Sequence, residues 1–262
     1  NLVDPVFDVP GEHSRLDVLL AIYGYSVQIY ADFSGYTDIA IGCALLLGFR
    51  FPQNFDSPFR ALSVRDFWRR WHISLSTWLR DYVYIPLGGN RGGRLRTARN
   101  LGLTMVLGGL WHGAAWTFLV WGAIHGLALI VERFLAGSIR RRRSTESPAE
   151  PTSWVLAVRW FVTLNVVGVA WVFFRADSVG RAWELLERLV IGGAPSQLIS
   201  GLALAVVVTA IGAQLVPQLV DRLRLELGRA APVAQVIALA VTLTTIDALG
   251  PDGVAPFIYF QF

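Results

Sequence analysis

Four histidines stand in the sequence, and two of them occupy places where an imidazole has chemistry to do. The first is His72. On a helical wheel at ~100° per residue, Arg65, Arg69, His72, Ser76 and Arg80 share one face of the Arg65–Tyr84 segment. Phe67, Trp71, Leu75, Trp78, Leu79 and Tyr82 share the other. Guanidinium groups clamp phosphate or carboxylate through paired hydrogen bonds. Neighbouring cations disfavour a protonated imidazole, so His72 reads as neutral, the form that accepts a proton. A neutral histidine beside an anion clamp suits acyl or phosphoryl transfer, with Arg65, Arg69, Ser76 and Arg80 as donor-binding candidates. The same segment also reads as an interfacial amphipathic helix whose arginines meet anionic headgroups, ended by Pro86 and Gly88-Gly89.

The second is His112, in the stretch Asn100–Val131, which holds no Asp, Glu or Arg. Twelve residues from the start of that stretch is ~18 Å of helix, a depth at which ionisable groups are rare and face cavities. The bland alternative is a neutral histidine bonded to a carbonyl of a neighbouring helix. His125, thirteen residues further on, reads as a supporting or structural residue placed elsewhere. Asp32 and Asp38 are six residues apart and point to different faces of a helix, so they make a poor acid/base pair. They read as fasteners to Arg or Tyr partners or as lining of a polar tunnel, with hydroxyls nearby on Tyr30, Ser34, Tyr36 and Thr37; Asp32 joins the substrate-binding candidates. Gly88 to Arg94 can cradle phosphate as a backbone nest but lacks Walker spacing. With Cys43 the only cysteine and the histidines scattered, no metal site is indicated.

These residues are carried by a lipid-soluble chain. Its 262 residues are 54% hydrophobic and only 16% charged, with a mean hydropathy of +0.48, against about 25% charged in an ordinary soluble domain. That excludes a water-soluble enzyme. The 12% of aromatic residues suit the boundary between hydrocarbon and headgroups.

A spanning helix needs about 20 apolar residues. Val18–Phe49, Asn100–Val131 as a hairpin turning at Gly113 or Gly108-Gly109, Trp154–Phe174, Leu189–Val220 and Ala230–Ile246 supply five or six. The fold class is therefore an all-α polytopic membrane bundle with added interfacial or re-entrant helices. Gly35 and Gly42 have the spacing for close helix approach. All 23 basic residues are arginine. The clusters Arg50–Arg70, Arg91–Arg99 and Arg140–Arg143 fall on the cytoplasmic side by the positive-inside rule. The acidic start (Asp4, Asp8, Glu12, Asp17) falls outside, and Ser144–Ser153 is a polar linker. Arginines beside membrane spans give no indication of nucleic-acid binding.

Gln28–Gly42 (QIYADFSGYTDIAIG) resembles a hallmark stretch of the membrane-bound O-acyltransferase (MBOAT) family. Asp66–Tyr82 (DFWRRWHISLSTWLRDY) and Tyr84–Asn90 (YIPLGGN) are similar to the branch that includes alginate O-acetyltransferases. Leu110–Trp116 (LWHGAAW) resembles the segment carrying that family's active-site histidine; Trp171–Ala176 and Phe257–Phe262 are similar to how the branch continues and ends.

The resemblance implies a helical fold around a tunnel that meets an acyl donor on one side and an acceptor on the other. His112 then matches the catalytic histidine and His72 the second active-site position. It further implies O-acyl transfer in the cell membrane, with no bound cofactor. The donor is a thioester such as acetyl-CoA, and the acceptor is a hydroxyl of a cell-surface polysaccharide or of an extracytoplasmic partner protein. On joining the two readings, His112 takes the proton of the attacking hydroxyl while His72, or an arginine beside it, orients the donor or steadies the oxyanion. Family members are longer, so residues 1–262 are expected to be the C-terminal part of one MBOAT membrane domain that begins internally. D-alanyl transfer, peptidoglycan acyl transfer, a non-catalytic scaffold and a proton- or ion-coupled transporter stay open as alternatives.

Overall fold

The computed structural model describes residues 2–142, 151–191, 195, 196 and 198–249. Within them the chain forms eleven α-helices and no strand. They are α1 (Asp4–Asp8), α2 (Arg15–Leu46), α3 (Val64–Arg70), α4 (Ile73–Leu79), α5 (Gly93–His112), α6 (Trp116–Arg142), α7 (Ser153–Arg175), α8 (Val179–Ile191), α9 (Gly201–Leu215), α10 (Pro217–Arg229) and α11 (Pro232–Leu249). Arg143, the linker as far as residue 150, Gly192, Gly193 and the Phe257–Phe262 ending lie outside the described residues.

Local chemistry sets the helix starts. Ser14 and Asp17 form a capping box at α2, each satisfying the other's backbone N–H. Asp17 is not a solvated topological marker: it is fully buried and also accepts hydrogen bonds from Ser196 Oγ (2.7 Å) and the Leu198 N–H (3.2 Å). Burial alone would raise its carboxyl, but the hydrogen bonds from Ser196, Ser14 and Leu198 outweigh it and hold the group at about 2. The C-terminal end of α7 carries Arg175, which pairs with Asp4 at 2.9 Å.

The Asn100–Val131 stretch is a hairpin, and its turn falls at Gly113–Ala115. Glycines let the two backbones touch. A Cβ on Gly109 would collide with the Phe118 carbonyl, and one on Gly122 with the Met105 carbonyl. One on Gly126 would come 3.2 Å from the Gly102 Cα. The close approach expected of Gly35 and Gly42 is not there: nothing described lies within 4 Å of a Cβ built on either.

By length and apolar composition, two described helices can cross a membrane, α6 over Trp116–Ala136 and α7; the α9–α10 pair, bent by 93°, makes a third. The five or six spans expected from the sequence shrink for physical reasons. The 32-residue α2 carries Asp17, Asp32 and Asp38. The first turns of α5 hold Arg94, Arg96 and Arg99. The apolar run of α11 is short, Pro232–Ala248.

The segment from 64 to 89 departs most from the wheel. It breaks after Arg70, and α3, α4 and a π-helical turn at Arg80–Tyr84 follow one another as a helical hairpin. Both ends of this hairpin sit at one end of the α5–α6 pair. The N–H groups of Val64 and Arg65 donate to the Glu132 carboxylate on α6, and Asn100 Nδ2 on α5 donates to the Gly89 carbonyl at 3.0 Å. Its tip, Trp71-His72, reaches the far end, where Trp111 and His112 close α5. Asn100 to His112 is ~18 Å along the axis, so the hairpin is re-entrant. The wheel's faces survive in part: Phe67, Trp71, Leu75 and Leu79 are buried and Arg65, Arg69 and Arg80 exposed, but three residues change sides. Trp78 and Tyr82, placed on the apolar side, are exposed and stack on each other at 5.6 Å. His72, placed among arginines, is 8% exposed.

Candidate active site

His72 occupies the tip in the left-handed region, φ 44° and ψ 55°, a conformation that costs a non-glycine residue about 1–2 kcal/mol. The loop before α3 holds it there. The Ile73 N–H donates to the Asn54 carbonyl and the Asp56 N–H to the Arg70 carbonyl, both at 3.0 Å. Ser74 donates to Asn54 Oδ1 from its N–H (3.1 Å) and its hydroxyl (2.7 Å). Because Ser74 spends its single hydroxyl hydrogen on Asn54, its oxygen, 3.4 Å from His72 Nδ1, acts as the acceptor for an Nδ1–H. That tautomer leaves Nε2 of His72 with a lone pair. Burial pushes the imidazole down to about 4, so His72 is neutral for a different reason than the sequence indicated.

The two histidines meet around aromatic rings. The Trp111 ring lies 6.1 Å from His72 and 4.9 Å from His112, edge-on to both. Phe33 of α2 packs edge-on against His72 at 4.7 Å. Phe174 of α7 and Trp121 of α6 pack edge-on against His112 at 5.0 and 5.2 Å. His112 ends α5, immediately before the turn, rather than lying midway along a span.

His125 is not elsewhere. It is fully buried one ring away, 5.0 Å from the same Trp121. Trp68 Nε1 of α3 donates to its Nδ1 at 3.2 Å, fixing the Nε2–H tautomer. Nε2 of His125 and the indole nitrogens of Trp121 and Trp171 are buried donors without a hydrogen-bond acceptor among the described residues.

The other candidates scatter. Arg65 and Arg69 are exposed on α3, Arg80 forms an exposed pair with Asp81 at 2.6 Å, and Ser76 donates to the Trp71 carbonyl at 3.1 Å. Among the described residues none of their side chains bonds to the His72 imidazole; the one tie is the Ser76 backbone N–H, which donates to the His72 carbonyl at 2.9 Å in the first turn of α4. Asp32 and Asp38 are exposed, and no arginine pairs with them there. Of the nearby hydroxyls, Ser34 and Thr37 bond to the carbonyls of Ala31 and Ser34 on their own helix. Two clefts open away from the histidine pair. One of about 340 Å³ runs along α4 past Ser74, Thr77, Trp78 and Asp81. The other lies at the start of α5. Neither is lined by Arg65, Arg69 or Arg80.

A helical bundle with wide apolar surface, and a re-entrant hairpin whose tip brings two imidazoles together among aromatic rings, defines a helical membrane protein. The profile of the membrane-bound O-acyltransferase family, MBOAT, matches residues 14–166, from the start of α2 to the middle of α7, and the chain belongs to that family. It is 51% identical over 173 residues to the probable alginate O-acetylase AlgI of Azotobacter vinelandii, a match covering 66% of this chain and 32% of that protein. To the peptidoglycan O-acetyltransferase of Helicobacter pylori it is 45% identical over 184 residues, 70% of this chain and 33% of the relative. To the teichoic acid D-alanyltransferase of Bacillus subtilis it is 34% identical, covering 57% and 37%. The chain thus spans about a third of the length of the curated relatives it matches.

Proposed function

We propose that the complete protein is a multi-pass O-acyltransferase of the inner or plasma membrane. It moves an acetyl group from a cytoplasmic thioester of the acetyl-CoA kind to a hydroxyl of a cell-surface polysaccharide such as alginate, directly or through an extracytoplasmic acyl-accepting protein. Family membership and relatives named for acetyl transfer support the class. The observation that carries the mechanism is the pairing of His72 and His112 around Trp111 at the tip of the re-entrant hairpin.

In this reading His112 takes the proton of the acceptor hydroxyl as its oxygen attacks the thioester carbonyl. The C–O bond forms, the tetrahedral intermediate expels the thiolate, and the imidazolium returns the proton to that sulfur. His72, neutral and with Nε2 an acceptor, orients the donor by taking a hydrogen bond from an amide N–H of its arm. Stabilising the oxyanion does not suit His72 in this tautomer, because that task needs a donor.

The test is acyl transfer from labelled acetyl-CoA by the complete protein in proteoliposomes. His112→Ala is expected to abolish transfer while expression and insertion persist. Wild-type turnover in that variant removes His112 from the mechanism, and solute flux without acyl consumption would favour a transporter.

A further inference from the structure

We propose that the cleft at the start of α5 binds a phosphate group through Arg91, Arg96 and Arg99. The cleft measures about 370 Å³ and is lined by Leu87, Gly88, Arg91, Gly92, Arg96, Arg99 and Asn100, with no acidic side chain among them. The guanidinium groups of Arg91 and Arg96 form no hydrogen bond or ion pair among the described residues, so both line the same opening without a protein anion. Three like charges around one concavity repel one another, and a bound dianion or monoanion removes that cost while meeting their donor geometry.

The floor is built to hold shape. Arg99 donates to Asn100 Oδ1 from Nε (3.2 Å) and from its terminal nitrogen (3.0 Å). Asn100 Nδ2 in turn ties the Gly89 carbonyl, fixing the loop to the helix. Gly88 (φ 103°), Gly89 (φ 54°) and Gly93 (φ 84°) take left-handed conformations that side chains rarely adopt. The tight turn that sets Arg91 and Arg96 in the same cleft depends on them. From Arg96 to His112 is ~24 Å of helix, so a phosphate here cannot touch the histidines. The ligand bears its phosphate far from any reacting atom, or does not react at all.

Two sources carry this chemistry: the headgroup of an anionic phospholipid, and the phosphates of a nucleotide thioester donor. The second source rests on the acyl-transfer reading above; the first does not. Both are read by binding, without turnover, so failure here leaves the His112 assay standing and the reverse holds.

The experiment compares the complete wild-type protein with Arg91→Gln/Arg96→Gln. One measurement is the retention of phosphatidylglycerol against phosphatidylcholine by native mass spectrometry from nanodiscs. The other is calorimetric binding of coenzyme A against pantetheine, which lacks phosphate. The double variant is expected to lose roughly thirtyfold in affinity for one probe, about fivefold per guanidinium. Loss for phosphatidylglycerol alone names the lipid, and loss for coenzyme A alone names the donor. Arg91→Lys/Arg96→Lys should keep part of the affinity because the charge remains, which separates ligand contact from misfolding. Unchanged binding of both probes in the Gln variant, or equal loss in the Lys and Gln variants, overturns the proposal.

Discussion

Asn54 Oδ1 accepts two hydrogen bonds from Ser74, one from its backbone N–H at 3.1 Å and one from its hydroxyl at 2.7 Å. The first settles which end of the Asn54 amide is oxygen; the second settles where the serine hydrogen points, and through it which nitrogen of His72 is protonated. A loop residue with no chemistry of its own therefore governs the tautomer of a candidate active-site imidazole.

Asn54→Ala should release the Ser74 hydroxyl to donate to His72 Nδ1 and move the proton to Nε2. Nitrogen NMR of labelled imidazoles reads that exchange directly. With two hydrogen bonds lost at a partly exposed site, stability should fall by about 1–2 kcal/mol. Asn54→Asp keeps an acceptor and should restore the Nδ1–H form; an unchanged tautomer in the Ala variant would sink the assignment.

A second expectation concerns acidity. Burial holds the folded-state His72 imidazole at about 4, against ~6.5 when unfolded. The folded state binds fewer protons between those values, so the stability tied to neutral His72 is complete above pH ~6.5 and drains away as pH falls toward 4. The stability gap between wild type and His72→Gln, which cannot titrate, should thus shrink by about 3 kcal/mol from pH 8 to pH 4. Thermal unfolding in detergent measures it. A gap that stays constant across that range would mean that His72 is hydrated.

The sequence revealed the helical class and the hairpin, with Gly113 as one of two candidate turns beside Gly108-Gly109, because long apolar runs and glycine punctuation are local signals. It could not reveal the break at Trp71-His72. The pattern of Phe67, Trp71, Leu75 and Leu79 keeps helical spacing across it, while the left-handed residue is stabilised by Asn54, eighteen positions earlier. His125 was misplaced because separation along the chain misleads across a turn: α6 folds back on α5, Trp121 lands beside His112, and His125 lies one helical turn beyond. The i, i+4 spacing of Trp121 and His125 was the available signal. Glu132, the first charge after the Asn100–Val131 run, fastens α3 through a contact that nothing in its local sequence signals.

Glu132 accepts the first N–H groups of α3, from Val64 and Arg65, while Ser63 caps the Asp66 N–H. Glu132→Ala removes the tie from this end of the re-entrant hairpin to α6, leaving the Ser63 cap and the bonds of Leu62 with Asp66 and Arg159. It should cost about 2 kcal/mol, between the loss of a helix cap and that of a charge-assisted hydrogen bond. Glu132→Gln retains a carbonyl acceptor and should cost about half as much. Proteolysis of the 57–63 loop in the complete protein should accelerate in the same order, Ala before Gln before wild type. Equal rates would place the anchorage elsewhere.

The last expectation follows from how α5 meets α6. A Cβ on Gly122 would strike the Met105 carbonyl and sit 3.0 Å from the Val106 Cα, both backbone atoms that no rotamer change can move aside. Gly122→Ala must push the helices apart, at a cost of about 1–3 kcal/mol. Because Trp121 is the neighbouring residue and packs edge-on to both His112 and His125, that displacement should lower acyl transfer as well as melting temperature. Gly102 is the control on the facing helix. Its Cβ would lie 3.7 Å from Ile130 Cδ1, an ordinary contact, and alanine in a helix interior favours the helix by up to about 1 kcal/mol over glycine. Gly102→Ala should therefore melt at or above the wild-type temperature with turnover unchanged. If the two variants behave alike, glycine-mediated contact between α5 and α6 is not what positions the histidines.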